Sequence, residues 1–186
     1  MRIISGKLKG KSIQFLKNKT TRPLKDVVRE NIFNILNHSN EIKIDIEKAN
    51  ILDLYSGVGS FGLECISRGA RKVTFIEQDI KASEVLKDNL VKLSIMNQAE
   101  IINDRIENAH YLNKKLKYSI FFLDPPFADK EFINSLKIIK MKKIFIKNHV
   151  VIIHRERGSN DNLKEFLNVI SVRQYGRSKI IFATFN

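Results

Sequence analysis

The sequence predicts an α/β fold with a doubly wound, mostly parallel sheet. An antiparallel hairpin closes it, and a small basic β-hairpin and helix precede it. Three observations carry this reading. From Asn50 onward, continuous apolar runs alternate with stretches at helical spacing, the pattern of parallel strands covered on both faces by helices. Near the end, apolar runs at 169–175 and 179–185 are joined only through Gly176-Arg177-Ser178, too short a link for a parallel crossover. The first forty residues fit neither pattern.

In chain order, Arg2-Ile3-Ile4 and Ser12-Ile13-Gln14-Phe15-Leu16 flank a turn with Gly6 and Gly10 and read as a hairpin over 2–16. Pro23 suits the start of a helix, and Asp26 and Glu30 favour its positive end. Val28, Ile32, Ile35 and Leu36 then recur at helical spacing. The alternating region has strands at 51–54, 73–76, 101–102, 120–123 and 150–153. Helices are expected over 60–68, 80–93, 105–115 and 129–140. The organisation expected is a basic appendage over 1–40 and an α/β domain over 41–186.

Composition narrows the function. The 186 residues carry a formal charge of +13, which speaks of partners rather than fold. Met1 to Lys25 holds eight basic residues and no acidic one, a footprint suited to nucleic-acid phosphate. The single cysteine, Cys65, excludes an intramolecular disulfide framework and any multi-cysteine zinc site. His38, His110, His149 and His154 show no metal-ligand spacing, and no metal is expected. No apolar run reaches the roughly 20 residues of a membrane span, so a cytoplasmic, soluble protein, monomeric by default, is expected.

Two segments carry chemistry. The first predicted strand of the α/β domain runs into Asp53-Leu54-Tyr55-Ser56-Gly57-Val58-Gly59-Ser60-Phe61-Gly62, then a helix. In doubly wound sheets ligands bind at the carboxyl ends of the strands. Glu77 ends the next strand, 20 residues after Gly57, where a carboxylate can hold both hydroxyls of a ribose. This loop fits a dinucleotide and equally S-adenosylmethionine. The second segment is Asp124-Pro125-Pro126-Phe127. Two of the three prolines are adjacent here, and they stiffen the backbone. The Asp124 carboxylate and the Pro125 carbonyl are acceptors for an exocyclic amino group, and Phe127 offers a face for stacking a base. Acceptors aimed at the hydrogens of a planar amine favour a pyramidal nitrogen and its developing positive charge. Cys65 reads as a small core residue; His154, which follows a strand at the border of the cleft, reads as structural ahead of functional; Arg177 reads as a solvated charge, with RNA contact the alternative.

With these residues in view, the chain resembles the class I S-adenosylmethionine-dependent methyltransferases that methylate amino groups, a Rossmann-like fold. More closely it resembles the RsmD family. The shared segments span nearly the whole length: Arg2-Ile3-Ile4-Ser5-Gly6-Lys7, Arg22-Pro23 with Val28-Arg29-Glu30, the Asp53–Gly62 loop, Ser67-Arg68-Gly69-Ala70, Asp124–Phe127 and Tyr175-Gly176. The resemblance implies methyl transfer from S-adenosylmethionine to N2 of a specific guanine in 16S ribosomal RNA, within the small subunit or its assembly intermediate. It implies that Asp53, Gly57 and Gly59 hold the methionine end of the cofactor, Glu77 its ribose and Asp104 its adenine. Asp124, Pro125, Pro126 and Phe127 would hold the guanine. RNA phosphate is expected at Arg2, Lys7, Lys9, Lys11, Arg22 and Arg29. Leu24 stands where the family commonly has threonine, which puts that position's role in question.

Overall fold

The computed structural model describes residues 1–16, 24–112 and 116–186. Its strands are β1 (Asn50–Leu54), β2 (Lys72–Ile76), β3 (Ala99–Ile102), β4 (Tyr118–Leu123), β5 (Phe145–Glu156), β6 (Leu167–Tyr175) and β7 (Ser178–Phe185). They form one sheet in the order β3-β2-β1-β4-β5-β7-β6. β1 to β5 are parallel, and β7 runs antiparallel between β5 and β6. The classic dinucleotide-binding order is 3-2-1-4-5-6; the inserted antiparallel β7 departs from it.

The α-helices of the described residues are α1 (Asp26–His38), α2 (Ser60–Ser67), α3 (Ile80–Lys92) and α4 (Phe132–Lys142). The helix expected over 105–115 is instead a 3-10 turn, Ile106–Tyr111, and 113–115 fall outside the described residues. It opens where Asp104 Oδ1 accepts from the Arg105 amide and the Asn108 side chain, both at 2.7 Å.

Alternate residues of a strand face opposite ways, which divides the core in two. Ile51, Val73, Phe75, Ile120, Phe122, Val150 and Ile152 join one cluster. Leu52, Leu54, Phe121, Leu123, Val151 and Ile153 join the other, under α4. β4 is buried along its whole length, as its unbroken apolar run requires.

The expected hairpin over 2–16 is present without regular strands: Arg2 and Ser12 form an antiparallel bridge, and the Ile3, Gly10 and Ile13 amides donate to the Lys11, Ile3 and Met1 carbonyls. It nevertheless lies in the main fold. Ile3, Ile13, Leu24, Val28, Ile32, Phe33 and Leu36 share one hydrophobic cluster with the sheet. Phe33 of α1 stacks on Phe61 of α2 (5.3 Å between centroids), and Phe61 stacks on Phe122 of β4 (4.0 Å).

A buried carboxylate fixes the N-terminal arm. Glu64, on the outer face of α2, accepts from the Ile4 and Ser5 amides at 2.8 and 2.9 Å and from Arg68 Nε at 2.9 Å. Ser67 takes the next contacts: its carbonyl accepts from the Lys7 amide and its hydroxyl from the Leu8 amide. Gly6 sits against this point at φ +79°, where a Cβ would overlap the Ser67 carbonyl. The arm therefore covers α2, and that explains how a helix buried from Phe61 to Ser67 can lie outside the sheet.

Candidate active site

The site lies at the carboxyl ends of β1, β2, β4 and β5, as the doubly wound topology directs. Two cavities meet there. One, of about 400 Å³, is lined by Leu54, Tyr55, Ile76, Glu77, Gln78 and Asp104 among others. Its neighbour, of about 350 Å³, is lined by Gly57, Asp124, Pro125, Pro126, Phe127 and His154, with Met1, Phe15 and Leu24 from the N-terminal segment. Tyr55, Glu77, Gln78 and Pro126 belong to both walls. Each volume lies in the roughly 300–1,000 Å³ range of small-molecule sites.

The glycine loop shapes the floor. Gly57 lines the second cavity, and its amide donates to Glu77 Oε2 at 2.7 Å. Glu77 Oε1 accepts from the Asp79 amide at 2.8 Å, so the loop and the end of β2 share one carboxylate. Gly59 lines neither cavity. It is the N-cap of α2 at φ +85°, and a Cβ there would overlap Leu86, so packing already requires this glycine. Asp53 is buried beneath the loop. Its Oδ2 accepts from the Gly62 amide at 2.9 Å, and its Oδ1 has no partner among the described residues. Burial pushes its carboxyl well above the usual range, opposed by the Gly62 hydrogen bond and reinforced by the nearby Asp124 and Glu77 carboxylates.

The Asp-Pro-Pro-Phe loop is braced from β5. The parallel register pairs Leu123 with Ile153, so the following residues, Asp124 and His154, fall side by side. His154 Nδ1 lies 2.8 Å from Asp124 Oδ1, and the His154 ring meets Phe127 edge-on at 5.5 Å. The next residue, Arg155, is 1 % exposed. Its Nη1 donates to the Pro126 carbonyl at 3.1 Å and its Nη2 to the Phe127 carbonyl at 3.3 Å. Its Nε and Nη2 also reach the Asp161 carboxylate at 3.1 and 3.2 Å, and the guanidinium lies 4.4 Å over the Phe132 ring. Desolvation opposes ionisation of Asp161, but the hydrogen bonds and charge of Arg155 hold its carboxyl below the ordinary value.

The expected residues thus divide. Gly57, Glu77, Asp104, Asp124, Pro125, Pro126 and Phe127 line the cavities, while Asp53 and Gly59 lie behind the wall. Arg29 is a correction. It is 0 % exposed, and its Nη2 donates to the Arg2 carbonyl at 2.6 Å and to Asp26 at 3.0 Å, with Nη1 3.0 Å from Met1 Sδ. Burial lowers its pKa, partly countered by Asp26 and Glu64. It ties the chain start to α1 and does not meet RNA. Lys7 is placed away from the cavities: its ammonium donates to Gln98 at 2.8 Å and its amide to Ser67, at the amino end of the sheet. Arg2, Lys9 and Lys11 are exposed. Arg22, with Lys17, Lys19 and Pro23, lies outside the described residues.

Arg155 carries no expectation from the sequence, and His154 reads there as structural. Their signal was position: they follow Ile153 at the carboxyl end of a strand beside β4. Met1, Phe15 and Leu24 carried no such signal, because only the folded arm brings them to the cavity. Cys65 is a core residue as expected, with burial pushing its thiol up. Among the described residues no His/Cys/Asp/Glu group could hold a metal ion, and no helix is long and apolar enough to cross a membrane.

The family model described as conserved hypothetical protein 95 matches residues 1–184. A Buchnera aphidicola (subsp. Baizongia pistaciae) protein named ribosomal RNA small subunit methyltransferase D is 35 % identical, over 100 % of this chain and 91 % of its own. The Escherichia coli K12 protein of the same name is 35 % identical over 68 % of this chain and 60 % of its own. A solved Escherichia coli structure superposes with a TM-score of 0.81 at 25 % identity, covering 100 % of this chain and 98 % of that one. An RNA methyltransferase from Salinibacter ruber, solved with S-adenosyl-L-homocysteine, shares the fold with a TM-score of 0.63 at 11 % identity, over 88 % and 94 % of the two chains.

Proposed function

The chain belongs to the conserved hypothetical protein 95 family, and from that premise we propose that it methylates small-subunit ribosomal RNA, at the exocyclic N2 of a guanine, with S-adenosylmethionine as donor. The observation that carries this reading is the pair of adjoining cavities. One is edged by ribose- and adenine-suited carboxylates, Glu77 and Asp104; the other is edged by Asp124, Pro125, Pro126 and Phe127.

The residues fit the cofactor. Asp53 Oδ1 is a buried acceptor without a partner, which suits an ammonium group. Gly57 lies where an added Cβ would meet nothing within 4 Å, which leaves room for a ligand against the backbone. Asp53 and Gly57 would hold the methionine end, with Gly59 setting the turn. Glu77 would hold the ribose and Asp104 the adenine. The cofactor, when bound, supplies an activated methyl group on a sulfonium and leaves as a neutral thioether.

The chain's own part is binding and orientation. Asp124 and the Pro125 carbonyl accept the two N–H groups of the amine and favour charge developing on its nitrogen. Phe127 stacks on the base. Met1, Phe15 and Leu24 close the far wall with apolar surface, so Leu24 acts there through its side-chain bulk and needs no hydroxyl. Holding the amine in line with the methyl supplies most of the rate. The amine's surplus proton leaves once the new N–C bond makes it acidic, so no strong base is needed. Arg2, Lys9 and Lys11, exposed on a chain of charge +13, would meet RNA phosphate, with Lys7 at the margin.

The test uses small subunits from cells lacking the enzyme, incubated with the protein and isotope-labelled S-adenosylmethionine, then digested and analysed by mass spectrometry. Label in N2-methylguanosine is expected. Label in another nucleoside would overturn the acceptor atom, and no label would overturn the reaction.

A further inference from the structure

We propose that His154 is a positioning residue for Asp124, fixing the carboxylate so that Oδ2 is presented to the amine; this rests on the methyl-transfer reading above. The inference starts from register. β4 and β5 are parallel, with Phe122 opposite Ile152 and Leu123 opposite Ile153. Continuing one residue puts His154 beside Asp124, where the chain of β4 leaves the sheet. The imidazole is nearly buried, with its side chain 5 % exposed, while Asp124 is 21 % exposed on the cavity side.

The hydrogen bonding sets the direction. An ionised carboxylate only accepts, so Nδ1 must carry the proton in its 2.8 Å bond to Asp124 Oδ1. His154 Nε2 is buried with no partner among the described residues. A proton there would be a buried donor without an acceptor, the rarer and costlier arrangement. The ring is therefore the Nδ1–H tautomer. It occupies Oδ1 and leaves Oδ2 for the substrate. Because Nδ1 is already protonated, the ring does not take the amine's proton through Asp124, and its part is orientation rather than relay.

The same ring does a second thing. It meets Phe127 edge-on, 5.5 Å between centroids at 80°, so it also sets the plane on which the base stacks. One side chain thus supports both the acceptor and the stacking face. Arg155 holds the Pro126 and Phe127 carbonyls of the same loop, whereas His154 meets the Asp124 carboxylate and the Phe127 ring, so the two residues are separable by experiment.

Two substitutions separate hydrogen bonding from packing. His154→Phe keeps a planar ring against Phe127 but removes the donor. His154→Asn leaves a smaller side chain, yet its Nδ2 sits the same number of bonds from the backbone as Nδ1 and keeps the donor. We expect His154→Phe to lower kcat by about 10- to 100-fold, the scale of a misplaced reacting group, with KM for S-adenosylmethionine little changed. His154→Asn should recover activity to within about threefold of wild type while being the less heat-stable of the two. A role in packing alone predicts the reverse order, with the phenylalanine variant more active, and that result would overturn the proposal. Wild-type activity with an undiminished His154→Phe enzyme would overturn it while leaving the reaction intact. A wild-type protein that transfers no label overturns the reaction and this role with it. Nitrogen-15 spectra of labelled histidine read the tautomer without any turnover: an Nδ1–H signal for His154 supports the pairing, and an Nε2–H signal refutes it.

Discussion

Replacing Glu64 with alanine should loosen the N-terminal arm and show how far the base pocket depends on it. Glu64 is wholly buried and receives three hydrogen bonds, from Ile4 N, Ser5 N and Arg68 Nε. A hydrogen bond to a charged group is worth about 1.5–3 kcal/mol, so the two backbone bonds alone amount to about 3–6 kcal/mol. Deletion also relieves the desolvation of the carboxylate, and removing one partner of a buried pair costs about 3–5 kcal/mol. The Arg68 guanidinium keeps its position 4.2 Å over Phe33, so little more is lost there. For a chain of this size each kcal/mol moves Tm by roughly 2–4 °C, which gives a fall of about 6–20 °C. Glu64→Gln retains one acceptor and should lose about half as much. Amide hydrogen exchange at Ile4 and Ser5 reports the arm directly and should accelerate. Met1 and Phe15, which close the base cavity, would be released with it, so KM for RNA should rise while cofactor affinity stays near wild type. A Tm within about 2 °C of wild type, with Ile4 and Ser5 still protected, would refute the reasoning.

Other expectations follow from the same geometry. Asp124→Ala should abolish transfer while S-adenosylmethionine still binds by calorimetry; turnover near the wild-type rate would remove its assigned role. Glu77→Ala should weaken cofactor binding by at least about tenfold, since it deletes the ribose acceptor and frees the Gly57 amide; unchanged affinity would move the site. Arg155→Met strands Asp161 and two loop carbonyls, so we expect a stability loss of about 3–5 kcal/mol and lower kcat, and denaturant unfolding near wild type would argue against the brace. His149 is neutral in the fold: its Nδ1 donates to the Ile146 carbonyl at 2.7 Å, and its Nε2 accepts from the Phe185 amide at 2.9 Å. Burial lowers its pKa, with the Ile146 and Lys147 carbonyls opposing. The unfolded chain, titrating near 6.5, therefore binds protons first. This contribution to stability is full above about pH 6.5 and is lost as pH falls toward the folded-state pKa. Urea midpoints measured from pH 7.5 to 5 should drop less steeply for His149→Phe than for wild type; parallel curves would exclude the linkage.

Arg29, expected at RNA from the family resemblance, is turned inward by packing, and the Lys7 side chain is drawn to the amino end of the sheet. A basic side chain goes where its own neighbours can satisfy it. The Arg29 guanidinium meets the Arg2 carbonyl and Asp26, and burying a charge is tolerable when its hydrogen bonds are met. Lys7 faces Gln98 because Gly6 turns the arm at the far end of α2.

The amino-acid sequence by itself determined the alternation of strands and helices, the antiparallel end and the two loops that edge the cavities. These depend on local periodicity, on turn residues and on the rule that ligands gather at the carboxyl ends of parallel strands. Gly57, Glu77 and Asp124–Phe127 were legible for that reason, while Asp104 came from the family resemblance. The side chains that stand behind them come from distant parts of the chain and are set by packing. His154 reaches Asp124 across 30 residues because strand register aligns them. Glu64 holds Ile4 across 60 residues because the arm folds over α2. Register, burial and the return path of the arm are set by packing between elements far apart in the chain, and no local pattern of residues records them.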